Sequence, residues 1–188
     1  MHIKLTRSLH RAGTAIALAG LLILGGCTSA PDGITPVQNF QTERYLGTWY
    51  EIARLDHSFE EGLTDVTADY SRNPDGTIKV INKGYSGKDS EWDTAEGTAR
   101  FVNGPDTGHL KVSFFGPFYG AYVIFELDPD YKYAFVTGPN RDYLWLLSRT
   151  PQIDTELREK FIRDTARLGY DTDQLIFVDQ SRNINPQP

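Results

Sequence analysis

Few residues in this 188-residue chain are of a type and spacing that could carry chemistry. Of its four histidines, His2 and His10 fall in a basic N-terminal stretch, while His57 and His109 fall in a loop and at a turn. No pair has the His-Glu-x-x-His spacing that places two imidazoles on one helix face, and the one cysteine, Cys27, is far from both. A haem ligand from His57 or His109 is the less favoured reading beside two surface histidines. There is no Gly-x-Ser-x-Gly elbow and no phosphate-cradling loop. The acid pairs Glu60/Glu61 and Asp128/Asp130 lie between apolar runs and read as solvated charges. No catalytic residue, metal site or cofactor is therefore expected, with Glu51 the one acid that the patterning below turns inward.

Cys27 has a different chemistry. Residues 1–26 carry Lys4, Arg7 and Arg11, no acid, and an apolar run from 14 to 24 that is too short to cross a bilayer as a helix. Leu24-Gly25-Gly26-Cys27 has the form of a bacterial lipoprotein box: a large apolar residue, two small ones, then the thiol that receives the lipid. We expect a signal peptide over 1–26, lipidation at Cys27, and a polar tether over 27–39 reaching at most about 40 Å. In the Gram-negative lipoproteins that this box resembles, an Asp at the next position favours retention at the inner membrane; Thr28 stands there, so the resemblance implies the outer membrane. Removing residues 1–26 takes the formal charge from −6 to −9. An acidic body repels phosphates, so nucleic acid is not an expected partner. With one thiol there is no internal disulfide, and the core must hold by packing alone.

The elements follow from period-2 alternation broken by turn signals. Strands are expected at 47–55, 64–71, 77–85, 92–102, 109–115, 119–127, 131–137 and 143–149, separated by turns such as Asn73-Pro74-Asp75-Gly76 and Gly138-Pro139-Asn140. Eight antiparallel strands can close on themselves and leave room for one ligand. Pro151 stops the last strand, Asp154 caps a helix carrying Leu157, Phe161 and Ile162 on one face, and Gly169 ends it. A short strand over 175–178 follows. The folded domain is assigned to residues 40–182 and a tail to 183–188.

Three separated segments then resemble one family. Gly47-Thr48-Trp49 on the first strand matches the Gly-x-Trp motif of the lipocalins, Asp128-Pro129-Asp130-Tyr131 is similar to the turn between their sixth and seventh strands, and Arg149 closes the eighth. The second segment departs from the family by Pro129 where Thr is usual. The resemblance covers nearly all of 40–182, and Asn82-Lys83-Gly84-Tyr85 and the stretch 112–119 are similar to the bacterial outer-membrane branch. It implies an all-β, eight-stranded antiparallel up-and-down barrel with one C-terminal α-helix on its outside. It further implies that Arg149 lies across Trp49, and that the ligand is a fatty acid or lysophospholipid held for storage, transport or outer-membrane maintenance.

Alternation sorts the walls. Lys79, Lys83, Glu96, Arg100 and Lys111 must face water, which excludes a transmembrane barrel. The inward, ligand-facing set is then Ala53 on the first strand; Val66, Ala68 and Tyr70 on the second; Val80 and Asn82 on the third; Ala95, Gly97, Ala99 and Phe101 on the fourth; Val112 and Phe114 on the fifth; Tyr119 and Tyr122 around the sixth; and Trp145 on the eighth. Small residues leave volume and aromatics supply contact. On the seventh strand both parities, Tyr133/Phe135 and Ala134/Val136, stay open. Inward-facing Glu51 could pair with an arginine or hold a headgroup. It is also the candidate acid for the alternative, a lipocalin-fold enzyme acting on a lipophilic substrate. The sequence leaves a monomer and a homodimer both open.

Overall fold

The computed structural model describes residues 28–184. Eight strands form the barrel: β1 (Gly47–Leu55), β2 (Leu63–Arg72), β3 (Ile78–Ser86), β4 (Glu91–Phe101), β5 (His109–Ser113), β6 (Gly120–Leu127), β7 (Tyr133–Thr137) and β8 (Leu144–Ser148). Each pairs antiparallel with its chain neighbour, and β1 pairs with both β2 and β8, so the sheet closes without a free edge. The expected all-β up-and-down barrel is what the chain forms. Charged side chains lie on the outer wall, where Lys79 on β3 pairs with Glu96 on β4 at 2.8 Å.

Trp49, wholly buried, plugs one end. Its indole N–H donates to the Tyr45 carbonyl in the short helix α1 (Thr42–Tyr45), and the Arg149 guanidinium lies 4.0 Å above its ring centre. Arg149 also donates to the carbonyls of Arg44, Leu46 and Thr48, so one cation ties α1, β1 and β8 together. Gly47 has φ +87°, a left-handed conformation that favours glycine, although a Cβ there would meet this guanidinium only at an ordinary 3.7 Å. In the turn before β7, Asp128 rather than Asp130 does the organising. Asp128 accepts from the amides of Asp130 and Lys132, while the Asp130 side chain is exposed.

The helix α2 (Thr155–Arg167) is capped by Asp154, whose carboxylate accepts from the Leu157 amide, and Gly169 at φ +84° follows its end. It lies on the outside of the barrel. Phe161 meets Phe135 edge-on at 4.8 Å, in an outer core shared with Ile52, Leu144 and Leu146. The buried stripe runs through Phe161 and Thr165 rather than through Ile162. This packing settles the seventh strand: Tyr133 and Phe135 face the helix, while Ala134 and Val136 face the barrel interior.

Both ends of the described chain differ from expectation. Residues 28–39 are not a free tether. Val37 donates to Ile124 and accepts from Gly108, Ile34 is buried in the outer core, and the Thr28 carbonyl lies 2.9 Å from His109 Nε2. Pro31, Gly33 and Pro36 give this stretch the composition of a linker, yet its carbonyls and amides are met by the barrel. At the other end, β9 (Leu175–Phe177) pairs with β1, and α3 (Ser181–Ile184) continues the fold past the expected boundary at 182. Asn183 donates to the Asp65 carbonyl, and Gln180 donates to the carbonyls of Glu51 and Val66, closing the gap where β1 and β2 diverge. The expected signal peptide over 1–26 and the lipidation at Cys27 lie outside the described residues.

Candidate functional site

The barrel encloses a cavity of about 1120 Å³, at the upper end of what small-molecule pockets usually offer. The loops after β1, β3, β5 and β7 surround its mouth, while Trp49 and α1 close the opposite end. Alternate residues of β2 to β5 line the wall: Val66, Ala68 and Tyr70, then Val80 and Asn82, then Ala95, Ala99 and Phe101, then Val112 and Phe114. Tyr119 and Tyr122 line it from around β6, and Tyr143, Trp145 and Leu147 from β8. Phe59, Phe115 and Phe118 stand exposed on the rim.

Two of the expected wall residues lie elsewhere. Ala53 belongs to the outer core under α2, because the register of β1 against β8 shifts between Glu51 and Ala53. One extra residue in a pleat inverts every side chain after it. Ile52 and Ala53 both end up outside, and Arg54, opposite Trp145, turns inward in place of Ala53. Gly97 keeps its inward parity but is covered, since a Cβ there would come 2.8 Å from the Phe114 ring. It shapes the wall by letting that ring lie flat on the backbone.

The bulge also creates a charged cluster that alternation could not foresee. Arg54, almost wholly buried, donates to Glu51 at 2.8 Å and to the carbonyls of Glu60 and Leu63 at 2.7 and 3.2 Å. Glu60 is buried, not solvated. Its carboxylate accepts from the Trp145 indole at 3.1 Å and lies 3.1 Å from His57 Nε2. The His57 side chain is buried too, packed among Phe59, Tyr143 and Trp145. Burial and the neighbouring Glu60 push the Glu51 carboxyl above the ordinary carboxylate range, against the pull of Arg54. Burial acts on Glu60 in the same sense, but His57, the Trp145 indole and Arg54 outweigh it and hold Glu60 low. The loop histidine and acid of the sequence are thus brought into contact at the cavity wall. The second histidine, His109, is also buried, between Asn103 and the Thr28 carbonyl. Among the described residues no group of three or more His, Cys, Asp or Glu side chains is arranged to hold a metal ion.

Three hydroxyls meet deeper in the barrel. Tyr122 Oη lies 2.6 Å from Tyr45 Oη and 2.8 Å from Tyr70 Oη, and the Tyr45 ring lies tilted against Trp49 with centroids 4.7 Å apart. Burial first, then their mutual proximity, raises the pKa of Tyr45 and Tyr122, and burial raises that of Tyr70. All three stay neutral.

Comparison with known proteins agrees with this architecture. A family described as "Lipocalin-like domain" matches residues 40–180. The chain is similar to "Outer membrane lipoprotein Blc" of Vibrio cholerae serotype O1, 56% identical over 160 residues that cover 85% of this chain and 94% of the relative. The protein of the same name from Escherichia coli K12 is 51% identical, covering 88% and 94%. Temperature-induced lipocalin-1 of Arabidopsis thaliana is 36% identical, covering 77% and 82%. Among solved structures, insecticyanin from the tobacco hornworm superposes with a TM-score of 0.65 at 18% identity over 82% of this chain and 88% of that one, a likeness of fold. The expected outer-membrane placement agrees with the names of the two bacterial relatives. With the barrel closed, Arg149 over Trp49 and the matched region spanning most of its length, the chain belongs to the lipocalin family.

Proposed function

We propose that this protein is a non-enzymatic carrier of amphipathic lipid, a fatty acid or lysophospholipid, anchored to the outer membrane through Cys27. The observation that carries the reading is the cavity: about 1120 Å³, mostly apolar, closed at one end and open at the other. Burying about ten methylenes at ~0.8 kcal/mol each supplies about 8 kcal/mol, a micromolar Kd before ordering costs are counted. The exposed rings of Phe59, Phe115 and Phe118 at the rim suit a mouth that takes its ligand from a lipid surface. Glu51, the acid an enzymatic reading would need, is bonded to Arg54. Storage, transport and membrane maintenance are the roles such a carrier serves.

The test is titration of the delipidated full-length chain with a fluorescent fatty acid and a fluorescent lysophospholipid. One site per barrel at micromolar or tighter Kd is expected, and mass spectrometry of gently isolated protein should find such lipid bound. Failure to bind across several chain lengths overturns the reading.

A further inference from the structure

Counting hydrogens at the cavity floor gives a result that a purely apolar pocket does not. Tyr45, Tyr70 and Tyr122 bring three phenolic hydrogens, and their two mutual contacts use two of them. The third has no acceptor among the described residues. Higher on the same inner wall, Asn82 Oδ1 is buried with no hydrogen-bond partner. The floor lies far from the mouth: Tyr45 packs on Trp49, and Tyr70 pairs with Gly47 at the closed end of β1. A plain acyl chain reaching that depth would leave both groups unmet, at a cost that water no longer covers once the chain has displaced it.

We propose that the floor is a polar subsite for a neutral oxygen, hydroxyl, carbonyl or epoxide, borne on the distal part of the bound acyl chain. The proposal rests on the lipid-carrier reading and names the chain chemistry that site selects. A hydroxyl answers either need, since it both accepts and donates, while a carbonyl or epoxide takes the spare phenolic hydrogen. A carboxylate is a poor occupant. One neutral donor cannot offset burial of a full charge, and Arg149, the nearby cation, is spent on three backbone carbonyls.

The experiment is displacement of a fluorescent fatty acid from the delipidated full-length chain by stearate and by a positional series of monohydroxystearates. The isomer whose hydroxyl reaches the floor should bind about tenfold tighter than isomers whose hydroxyl meets apolar wall, the sum of one bond made and one desolvation avoided. The triple variant Tyr45→Phe, Tyr70→Phe, Tyr122→Phe should flatten that series to within about twofold, each isomer being read as a ratio to stearate on the same variant. The double variant Tyr45→Phe, Tyr70→Phe keeps one free phenolic hydrogen and should keep the peak. As a measurement independent of any variant, the carbonyl stretch of an isotope-labelled ketostearate should fall on binding at the favoured position. A flat wild-type series, a peak that survives the triple variant, or an unshifted carbonyl overturns the subsite while leaving the carrier reading intact. Failure of stearate itself to bind overturns the carrier reading and the subsite with it.

Discussion

Arg149 shows how much one side chain can hold. It faces the Trp49 ring and meets three backbone carbonyls, so Arg149→Met should lower stability by roughly 2 kcal/mol, read as a shift in the urea midpoint. Arg149→Lys should recover only part of this, because an ammonium cannot span three carbonyls and a ring together. At Glu60 the sign of the pH effect is fixed by its lowered pKa. A carboxyl held below its unfolded value adds stability that is complete above about pH 4.3 and is lost as the pH falls through the folded value. The stability gap between wild type and Glu60→Gln should therefore narrow on acidification, measured by urea unfolding from neutral pH down to about pH 3. The raised Glu51 acts in the opposite sense and higher on the scale, its contribution falling as pH rises. Gly47, Trp49 and Arg149 could be read from the sequence because they stand in segments that resemble the lipocalins, and that resemblance implies their packing. Glu60 could not, because position in a loop says nothing about which way the loop folds.

At the scale of elements, alternation worked where pleats are unbroken. Along β3 and β4 the register runs without a shift from Ile78–Ala99 to Ser86–Glu91, and Val80, Asn82, Ala95 and Ala99 share the cavity side. It failed on β1 at the bulge, since no residue type announces an extra position in a strand, and Ala53 and Arg54 exchanged faces. The seventh strand was undecidable for another reason. Both of its faces are apolar, one packed inside the barrel and one lying under α2, so only the placement of the helix could separate them. The C-terminal segment gives a prediction of its own. Gln180, buried, satisfies the carbonyls of Glu51 and Val66 across the gap between β1 and β2. Gln180→Ala should cost about 2–4 kcal/mol by stranding both acceptors, with faster amide exchange confined to β2 and the 178–184 segment as the local signature.

For the whole molecule, the decisive question is whether the barrel is hollow in use as well as in shape. Ala99 is buried on β4 with its methyl on the cavity wall. Ala99→Trp should fill the interior and abolish uptake of a fluorescent fatty acid while leaving the β-sheet circular dichroism unchanged. A variant that unfolds, or one that binds normally, contradicts the wall assignment. The fastening of the first described residues has a consequence for how such a vessel is mounted. Because the Thr28 carbonyl is held against His109 and the following stretch is stitched to β6, any acyl group carried at position 27 is one peptide unit from rigid scaffold. If Cys27 carries the proposed lipid, the attachment would have no slack to pay out and would work as a bracket and not a leash, and a mobile insert between residues 28 and 34 would trade that posture for wandering.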